Sequence, residues 1–298
     1  MTAPRPHRRR RPRIGDGALA RRLLIGTVLA LSALLILAPL LVIFAQAFRM
    51  GVGYFAQTIA APDTRHAILL TLATAAIAVP VNTAFGVAAA WAVTKHDFPL
   101  KRFLVVLIEI PFSISPIVAG TAYLFVFGLQ GLFGAALQDA EIQILFALPG
   151  IVLASLFVTA PFVARELIPL MEAQGRDLEE AAVSLGASGW RTFRRVTLPN
   201  IRWALLYGVV LCNARVMGEF GAVSIVSGNI RGQTNTLPLQ IELLYNDYNT
   251  VGAFAAASIL TVLALVTLAV KVWLEARGAG RRKVGAKTAV LPPGGLAR

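Results

Sequence analysis

Residues 177–199, DLEEAAVSLGASGWRTFRRVTLP, decide the fold prediction for this chain. In this stretch Glu180-Ala181-Ala182 is followed after three residues by Gly186, and after nine more by Val196-Thr197-Leu198-Pro199. Long apolar segments lie on both sides, so the stretch is a polar connection between two hydrophobic spans. The order of residues within it predicts two short helices joined at a glycine.

The first short helix has a narrow apolar stripe, because apolar residues recur at helical spacing while acidic residues and serine occupy the other faces. The stripe consists of Leu178, Ala181, Ala182 and Leu185. Gly186 is expected to end this helix in a left-handed conformation. Ser188 is placed to cap the second short helix, and Pro199 to begin the next span. A hinge of this kind suits the docking of a partner protein, although an ordinary amphipathic loop is the alternative.

The spacing resembles the E-A-A…G…I-x-L-P signature of permease subunits in bacterial ATP-binding-cassette (ABC) importers. Only Val196 departs from it, replacing the usual isoleucine with a residue of similar shape. The resemblance implies an all-α integral membrane protein with the type I ABC importer permease fold, six transmembrane helices and both termini in the cytoplasm. It also implies an ATPase-coupling loop formed by Glu180, Ala181, Ala182, Gly186, Leu198 and Pro199.

Composition independently indicates an integral membrane protein. Hydrophobic residues make up 57% of the chain and charged residues 14%, and the mean hydropathy is +0.70. Six apolar stretches are long enough to cross a ~30 Å hydrocarbon core, which needs about 20 helical residues. The first is too long for a secretory signal and has no cleavage site after it. We place the spans near 23–48, 68–93, 103–129, 144–163, 203–226 and 251–274.

Positive charge is distributed unevenly between the connections. Of 28 lysines and arginines, eight lie in the N-terminal tail, six in the connection that holds the signature, and seven from Lys271 to the C-terminus. The positive-inside rule therefore predicts that both termini and the signature loop are cytoplasmic. The net charge of +13 is a topology signal, and the arginines from Arg8 to Arg11 suit anionic membrane lipid better than nucleic acid.

These observations predict one membrane domain between two tails. Residues 1–22 and 275–298 are both expected to be disordered basic cytoplasmic tails, since each combines prolines with basic residues. Residues 23–274 form the transmembrane permease domain, whose family core covers about 67–274. The cytoplasmic coupling loop is expected at 165–202.

The third span contains two prolines that must bend or unwind its helix, since each removes a helical hydrogen bond. These are Pro111 and Pro116, and Ser113 and Ser115 between them could satisfy the freed carbonyl groups. In a membrane, such a break belongs against protein or a water-filled path. The break either lines a translocation path or is a kink for packing. A run of this form resembles that in permeases for sulfate and related oxyanions.

The fifth span contains Arg215 and Glu219, which are four residues apart and so can pair on one helix face. Either charge alone in lipid would cost ~2.5 kcal/mol or more, so we expect a pair that faces the bundle interior. The pair is either a charged element of the oxyanion path or gate, or a structural link between helices. The stretch R-x-M-G-E-F-G-A-V with S-G-x-I-x-G-x-T resembles CysW-type subunits of sulfate/thiosulfate importers.

The chain lacks the motifs of a membrane enzyme. It contains no P-loop, no H-E-x-x-H and no G-x-S-x-G. The three histidines are dispersed in different tails or loops, so no metal or cofactor site is predicted, and the lone Cys212 is expected to be a packing residue. ATP hydrolysis must therefore come from a partner subunit.

We therefore expect a multi-pass permease subunit in a bacterial cytoplasmic (inner) membrane that translocates sulfate or thiosulfate. The resemblance implies three partners: an ATP-binding cassette ATPase in two copies, a second related permease, and a periplasmic or tethered sulfate-binding protein that docks on the outer loops, for which residues 229–234 are a candidate. Membrane lipid is also a partner, and nucleic acid is not expected. The alternatives are a permease for molybdate or tungstate and an autonomous secondary transporter.

Overall fold

A computed structural model describes residues 18–288, and this part of the chain is helical, with no strand. Two π-helical segments, Ala33–Leu37 and Phe193–Thr197, interrupt the α-helices. The α-helices are, in chain order, α1 (Ala18–Ser32), α2 (Ala38–Ala47), α3 (Gly51–Ala60), α4 (Pro62–Lys95), α5 (Lys101–Ser113), α6 (Pro116–Phe127), α7 (Gly134–Asp139), α8 (Leu148–Thr159), α9 (Pro161–Gln174), α10 (Asp177–Ser184), α11 (Gly189–Thr192), α12 (Leu198–Met217), α13 (Gly221–Ser227), α14 (Leu237–Asn246) and α15 (Thr250–Thr288).

Four helical runs are long and apolar enough to cross a membrane without a break. They are Leu19–Ala47, Pro62–Lys95, Leu148–Gln174 and Thr250–Trp273. Two further candidates are bent pairs: α5 with α6 bends by 107°, and Gly189–Met217 with α13 bends by 50°. Six spans result if each bent pair counts as one, in agreement with the six apolar stretches of the sequence.

Several boundaries differ from the sequence-based expectation. The fourth span was expected to end at residue 163, but its helix continues to Gln174, so the first ten residues of the expected loop 165–202 are helical. Helix α1 begins at Ala18, inside the expected N-terminal tail, and α15 reaches Thr288, inside the expected C-terminal tail. The remaining parts of the two tails, residues 1–17 and 289–298, lie outside the described residues.

The core lies where α4, α9 and α12 pack against one another. Two glycines permit this close approach. A Cβ at Gly86 of α4 would lie 2.6 Å from the Cβ of Val163, and one at Gly208 of α12 would lie 3.2 Å from the Cα of the same valine. Small residues at these crossings let helix backbones approach closely, which is how helices associate inside a membrane.

A buried polar network holds the junction between α8 and α9. Pro161 has no N–H to continue the helical ladder, which leaves carbonyl groups near Thr159 in need of donors. The Asn82 amide of α4 donates to the Leu156 carbonyl at 3.1 Å and to the Thr159 hydroxyl at 2.7 Å. Cys212 of α12 is fully buried beside Thr159, as expected for a packing residue.

The first span is packed much less than the others. No residue in its most apolar 18-residue stretch is buried, whereas 56% of the residues in the corresponding stretch of Leu148–Gln174 are buried. Its second half, α2, packs against α15. The first span therefore leaves a wide apolar surface uncovered by the described chain, which suits contact with lipid or another membrane subunit.

Candidate functional site

Helix α10 ends at a glycine hinge, as the signature spacing predicts. Gly186 has a φ of +83°, in the left-handed region, and its N–H donates to the Val183 carbonyl at 2.9 Å. The Ala187 N–H donates to the Ala182 carbonyl at 3.0 Å, which closes the helix end. No atom lies within 4 Å of the position that a Cβ on Gly186 would occupy. Backbone conformation rather than crowding therefore requires glycine here.

The second half of the hinge differs from the expectation in two ways. Ser188 occupies the N-cap position of α11, but its side chain makes no capping hydrogen bond. Pro199 lies in the first turn of α12, as expected, but α12 is not separated from α11, because Gly189–Met217 is one continuous helical run. The π-helical segment Phe193–Thr197 lies directly before Pro199. A π turn changes the hydrogen-bond register locally and so accommodates the missing N–H of proline without ending the helix.

The hinge presents an exposed apolar surface. Its most exposed member is Leu185, at 89%, and Trp190 is 70% exposed. Leu178 and Val183 are also exposed, whereas Ala182 is half-buried. The sequence assigned the stripe to Leu178, Ala181, Ala182 and Leu185, so it missed the aromatic contribution of Trp190. Large apolar side chains exposed together beside a polar helix are typical of a protein-docking surface.

An ion pair ties α10 to the end of α4. The Lys95 Nζ lies 3.1 Å from the Glu179 Oε1, and the side chains of Lys95 and Glu179 are only 7% and 18% exposed. The Thr197 hydroxyl donates to the same carboxylate oxygen at 3.0 Å, and Lys95 also donates to the Gly175 carbonyl. Glu179 therefore joins three segments: the end of α4, the helix α10, and the π-helical segment before α12.

A second ion pair lies beside the first and is more exposed. Both terminal nitrogens of Arg176 lie 3.1 Å from the Asp97 Oδ2, and the Arg176 Nε donates to the Thr94 carbonyl at 3.3 Å. The Arg176 hydrogen bond lowers the pKa of Asp97 below its usual value. We name the contacts among Lys95, Asp97, Arg176 and Glu179 the α4–α10 lock. The sequence analysis missed it, because its members lie about 80 residues apart in the chain.

A cavity of about 580 Å³ lies between the lock and α11. Its lining includes Trp91, His96, Glu180 and Ser184 in addition to three members of the lock. No residue of α10 is buried, and Glu179 contacts Lys95 and Thr197 at one edge of the helix. The helix is thus held by directed contacts rather than by tight apolar packing.

The break in the third span is confirmed, and it lies between Ser113 and Pro116. Pro111 is inside α5, and Pro116 occupies the first turn of α6, where its missing N–H costs little. The suggestion that Ser113 and Ser115 satisfy freed carbonyls is wrong, since neither hydroxyl has a hydrogen-bond partner among the described residues. Both serines are exposed on the surface of the described chain.

The fifth span is also broken, at Gly218–Phe220, between α12 and α13. The predicted ion pair forms there: the Arg215 Nη1 lies 2.8 Å from the Glu219 Oε2. The two residues do not share one continuous helix, however, because α12 ends at Met217 and Glu219 lies in the break. The Glu219 Oε1 accepts a hydrogen bond from the Ala222 N–H at 3.1 Å. Glu219 thus caps the start of α13, where a carboxylate is favourable.

The pair is asymmetric in its surroundings. The Glu219 side chain is 1% exposed, whereas 35% of the Arg215 side chain is exposed. The Oε2 contact with Arg215 is an ion pair without hydrogen-bond geometry. A buried carboxylate in a membrane protein needs a compensating charge, and Arg215 supplies it. Arg215 also presents part of its surface outside the packed core.

The two helix breaks meet in space. A Cβ on Gly221, at the start of α13, would lie 3.0 Å from the Cβ of Pro116, at the start of α6. A Cβ on Gly120 would lie 2.8 Å from the Ala222 carbonyl, so α6 and α13 are in close backbone contact. The two breaks therefore form one region, which we name the paired breaks (residues 113–116 and 218–221). Pro111 and Arg215 lie in the helices next to it.

The loop that follows α13 is held in a defined conformation. The Thr234 hydroxyl donates to the Ser227 carbonyl at 2.6 Å, and it accepts from the Ile230 N–H at 3.1 Å. Asn229 and Arg231 remain exposed at its tip, where Arg231 pairs with Asp247 at 2.6 Å. Within residues 18–288, no group of histidine, cysteine or carboxylate side chains could hold a metal ion.

Comparison with known proteins matches this architecture to one family. Residues 82–279 match the family described as Binding-protein-dependent transport system inner membrane component. The chain is 56% identical to the Sulfate transport system permease protein CysW of Escherichia coli (strain K12), over 85% of this chain and 87% of that protein. It is 35% identical to the Sulfate transport system permease protein CysT of the same organism, over 88% of this chain and 94% of that protein.

A solved structure has the same fold at low sequence identity. It is a crystal structure of a bacterial ABC transporter involved in the import of the acidic polysaccharide alginate. The superposition has a TM-score of 0.69 at 17% identity and covers 89% of this chain and 95% of that one. At this level of identity the likeness establishes the fold alone.

Proposed function

The chain belongs to the family of binding-protein-dependent transport system inner membrane components, and we propose that it is the membrane-spanning permease subunit of an ATP-driven importer for sulfate or thiosulfate. It is a multi-pass protein of the cytoplasmic (inner) membrane. The sulfate assignment is supported by the 56% identity to a relative named for sulfate transport. The observation that carries the permease assignment is the exposed hinge around Gly186, since it presents a docking surface where the signature requires one.

The partners follow from this assignment. An ATPase subunit, in two copies, would dock on the exposed surface of α10 and hydrolyse ATP on behalf of the chain. The chain would pair with a second related permease, a role supported by the existence of CysW and CysT as two sulfate permease proteins in one organism. A sulfate-binding protein would deliver the anion to the outer surface, where residues 229–234 form a candidate contact.

The proposed mechanism transmits motion through the contacts that hold α10. Closure of the ATPase dimer on ATP binding would displace the hinge formed by Glu180, Ala181, Ala182 and Gly186. The continuous helix from Gly189 through Leu198 and Pro199 to Met217 would carry this displacement to the paired breaks. The candidate path or gate residues lie at or next to the paired breaks. They are Pro111, Ser113, Ser115, Pro116, Arg215 and Glu219. The α4–α10 lock would move the second span together with the hinge.

The proposed topology places both termini and residues 175–198 in the cytoplasm, and residues 228–249 outside. Single cysteines at Ser188 and Asn229, in a Cys212→Ala background, should differ in labelling by an impermeant maleimide in cells with a permeable outer membrane. We expect only the Asn229 site to react. The reverse pattern would contradict the orientation, and equal labelling of both sites would indicate an even number of crossings between them.

Uptake of radiolabelled sulfate tests the function directly. A strain that lacks this gene should lose uptake and regain it when the gene is restored on a plasmid. Thiosulfate should compete with sulfate, while molybdate and tungstate should compete weakly. Normal sulfate uptake in the deletion strain would refute the assignment, and loss of molybdate uptake alone would show a permease for another oxyanion.

A further inference from the structure

Arg165 is a charged side chain on a membrane-spanning helix that no ion pair neutralises. It lies four residues beyond the midpoint of Leu148–Gln174, which is about 6 Å along the helix axis. None of the five ion pairs among the described residues includes it, and its side chain is exposed on the surface of the chain. An arginine that faced lipid at this depth would cost at least ~2.5 kcal/mol. The face that carries Arg165 must therefore meet water or another protein.

The Arg165 guanidinium is aimed at the break in the third span. Its Cζ lies 4.4 Å from the centroid of the Phe112 ring, and Phe112 packs against Phe162 at 5.1 Å. Phe112 is the penultimate residue of α5, immediately before the break. Helical side chains lean toward the N-terminus of their own helix, so Arg165 reaches away from Gln174 and toward the paired breaks. It does not extend to the end of α9 where water and headgroups would solvate it.

Neither neighbouring carboxylate forms an ion pair with Arg165. Glu109 lies one helical turn before Phe112 and is exposed, but it makes no ion pair with Arg165 within 4.0 Å. Glu166 lies on the side of α9 that faces α12, since a Cβ on Gly208 would lie 3.5 Å from its Cβ, and its charge interacts with Lys271 as well as with Arg165. Phe112 orients the guanidinium through a cation–π contact and leaves its N–H groups available.

We propose that Arg165 contacts the translocated oxyanion in the space beside the paired breaks. The inference rests on the proposed function, because it requires that a tetrahedral dianion passes this chain. A guanidinium presents a planar fork of N–H donors that matches two oxygens of such an anion. An exposed position suits a path, where each contact must be strong enough to admit the anion and weak enough to release it.

The test compares Arg165→Gln and Arg165→Lys with the matched control Arg102→Gln. Arg102 is an exposed arginine at the start of α5, eleven to fourteen residues from the break, and its removal also deletes one positive charge. In the assembled importer, we expect Arg165→Gln to reduce sulfate uptake by roughly tenfold or more. The abundance of the complex in the membrane should stay normal, so that transport is lost and assembly is not. Arg165→Lys should retain intermediate uptake, and Arg102→Gln should transport like the parent protein.

Two results would overturn the proposal. Uptake by Arg165→Gln equal to that of the parent would show that the anion does not need this charge. Uptake that falls only in proportion to the abundance of the complex would show a structural role. Failure of the parent protein itself to transport sulfate would instead refute the proposed function, so the two failures are distinguishable.

Thiol protection provides a measurement that does not depend on transport by the mutant. Arg165→Cys in a Cys212→Ala background should react with a negatively charged methanethiosulfonate reagent, because the site lies in a water-filled path. Sulfate should slow this reaction in a concentration-dependent manner, while chloride at equal ionic strength should not. Absence of any reaction, or equal protection by chloride, would contradict an oxyanion contact at this position.

Discussion

The α4–α10 lock and the Arg215–Glu219 pair both join oppositely charged side chains, but their surroundings differ. In the lock, Arg176 and Asp97 are 38% and 74% exposed, and the contacts link segments about 80 residues apart. In the paired breaks, Glu219 is 1% exposed and its partner is only four residues away. Exposed charges are partly solvated whether or not they pair, whereas a buried carboxylate without its partner has no solvent to replace it. Only the Arg176–Asp97 contact of the lock is exposed in this way, since the Lys95 and Glu179 side chains are 7% and 18% exposed. The exposed contact is therefore suited to movement, and the buried Arg215–Glu219 pair to permanence.

The largest effect should come from breaking the buried pair. Arg215→Ala leaves Glu219 uncompensated, which should cost about 3–5 kcal/mol and reduce the amount of assembled complex. The double mutant Arg215→Ala/Glu219→Ala should recover part of that loss. Membrane abundance and sulfate uptake should be measured in both single mutants and in the double mutant.

The alternative for this pair has a different signature. If Arg215 meets the anion instead, its removal should spare assembly and abolish uptake, with no rescue by changing Glu219. Full assembly together with full transport in both single mutants would contradict both interpretations, and would place the pair in water or headgroups.

A smaller effect is expected at the hinge. Gly186→Val forces a β-branched residue into a left-handed conformation, at a cost of about 2 kcal/mol. Since open space surrounds the position, the strain falls on the hinge and not on the core. We expect normal insertion, with ATP hydrolysis uncoupled from uptake in reconstituted vesicles. Gly186→Asn is the matched control, because asparagine tolerates this conformation, and it should retain most of the uptake. Coupled transport by Gly186→Val would refute the hinge argument.

The Lys95–Glu179 contact of the lock should tolerate disruption better than the Arg215–Glu219 pair, because 18% of the Glu179 side chain is exposed and only 1% of the Glu219 side chain. Lys95→Met removes a charged partner of Glu179 but leaves the Thr197 hydrogen bond, so we expect a cost of about 1.5 kcal/mol and nearly normal assembly. The number of ATP molecules hydrolysed per sulfate transported should rise. The exchange Lys95→Glu/Glu179→Lys should restore part of the coupling. An unchanged ratio in Lys95→Met would show that the lock does not transmit motion.

The smallest effect is a pH dependence at the exposed edge of the lock. The Arg176 hydrogen bond holds the pKa of Asp97 in the folded protein below its unfolded value of about 3.9. This contribution to stability is present above the unfolded pKa and is lost as pH falls through the folded pKa. The Asp97→Asn variant should therefore lose less thermal stability than the parent protein as pH falls below about 4. Near neutral pH, its thermal stability should be close to that of the parent. Asp139→Asn, at an exposed carboxylate of α7, should keep the acid-side slope of the parent. An equal slope in the Asp97→Asn variant would show that this pair does not form in solution.

The features that the sequence predicted correctly are local in the chain. Span lengths follow from runs of apolar residues, the third-span break from two prolines five residues apart, and the hinge from Gly186 at the end of α10. The family resemblance rests on spacings of the same local kind. Errors were local as well. They concern the end of the fourth span, the capping role of Ser188 and the expected separation of α11 from α12, and all three depended on hydrogen bonds that the residue types alone do not specify.

Tertiary structure alone decided which distant residues meet. From the sequence alone, Arg176 and Glu179 could each have lain on a solvated face of the loop. Only the packing of α4 against α9 brings Arg176 to Asp97 and Glu179 to Lys95. The same holds for the contact between Pro116 and Gly221 that unites two broken spans into one region. The physical reason is that hydropathy, a missing N–H and freedom at φ belong to single residues, so the sequence by itself determines them. A side-chain pair between distant segments exists only after helices have packed in one arrangement, and that arrangement is a property of the whole fold.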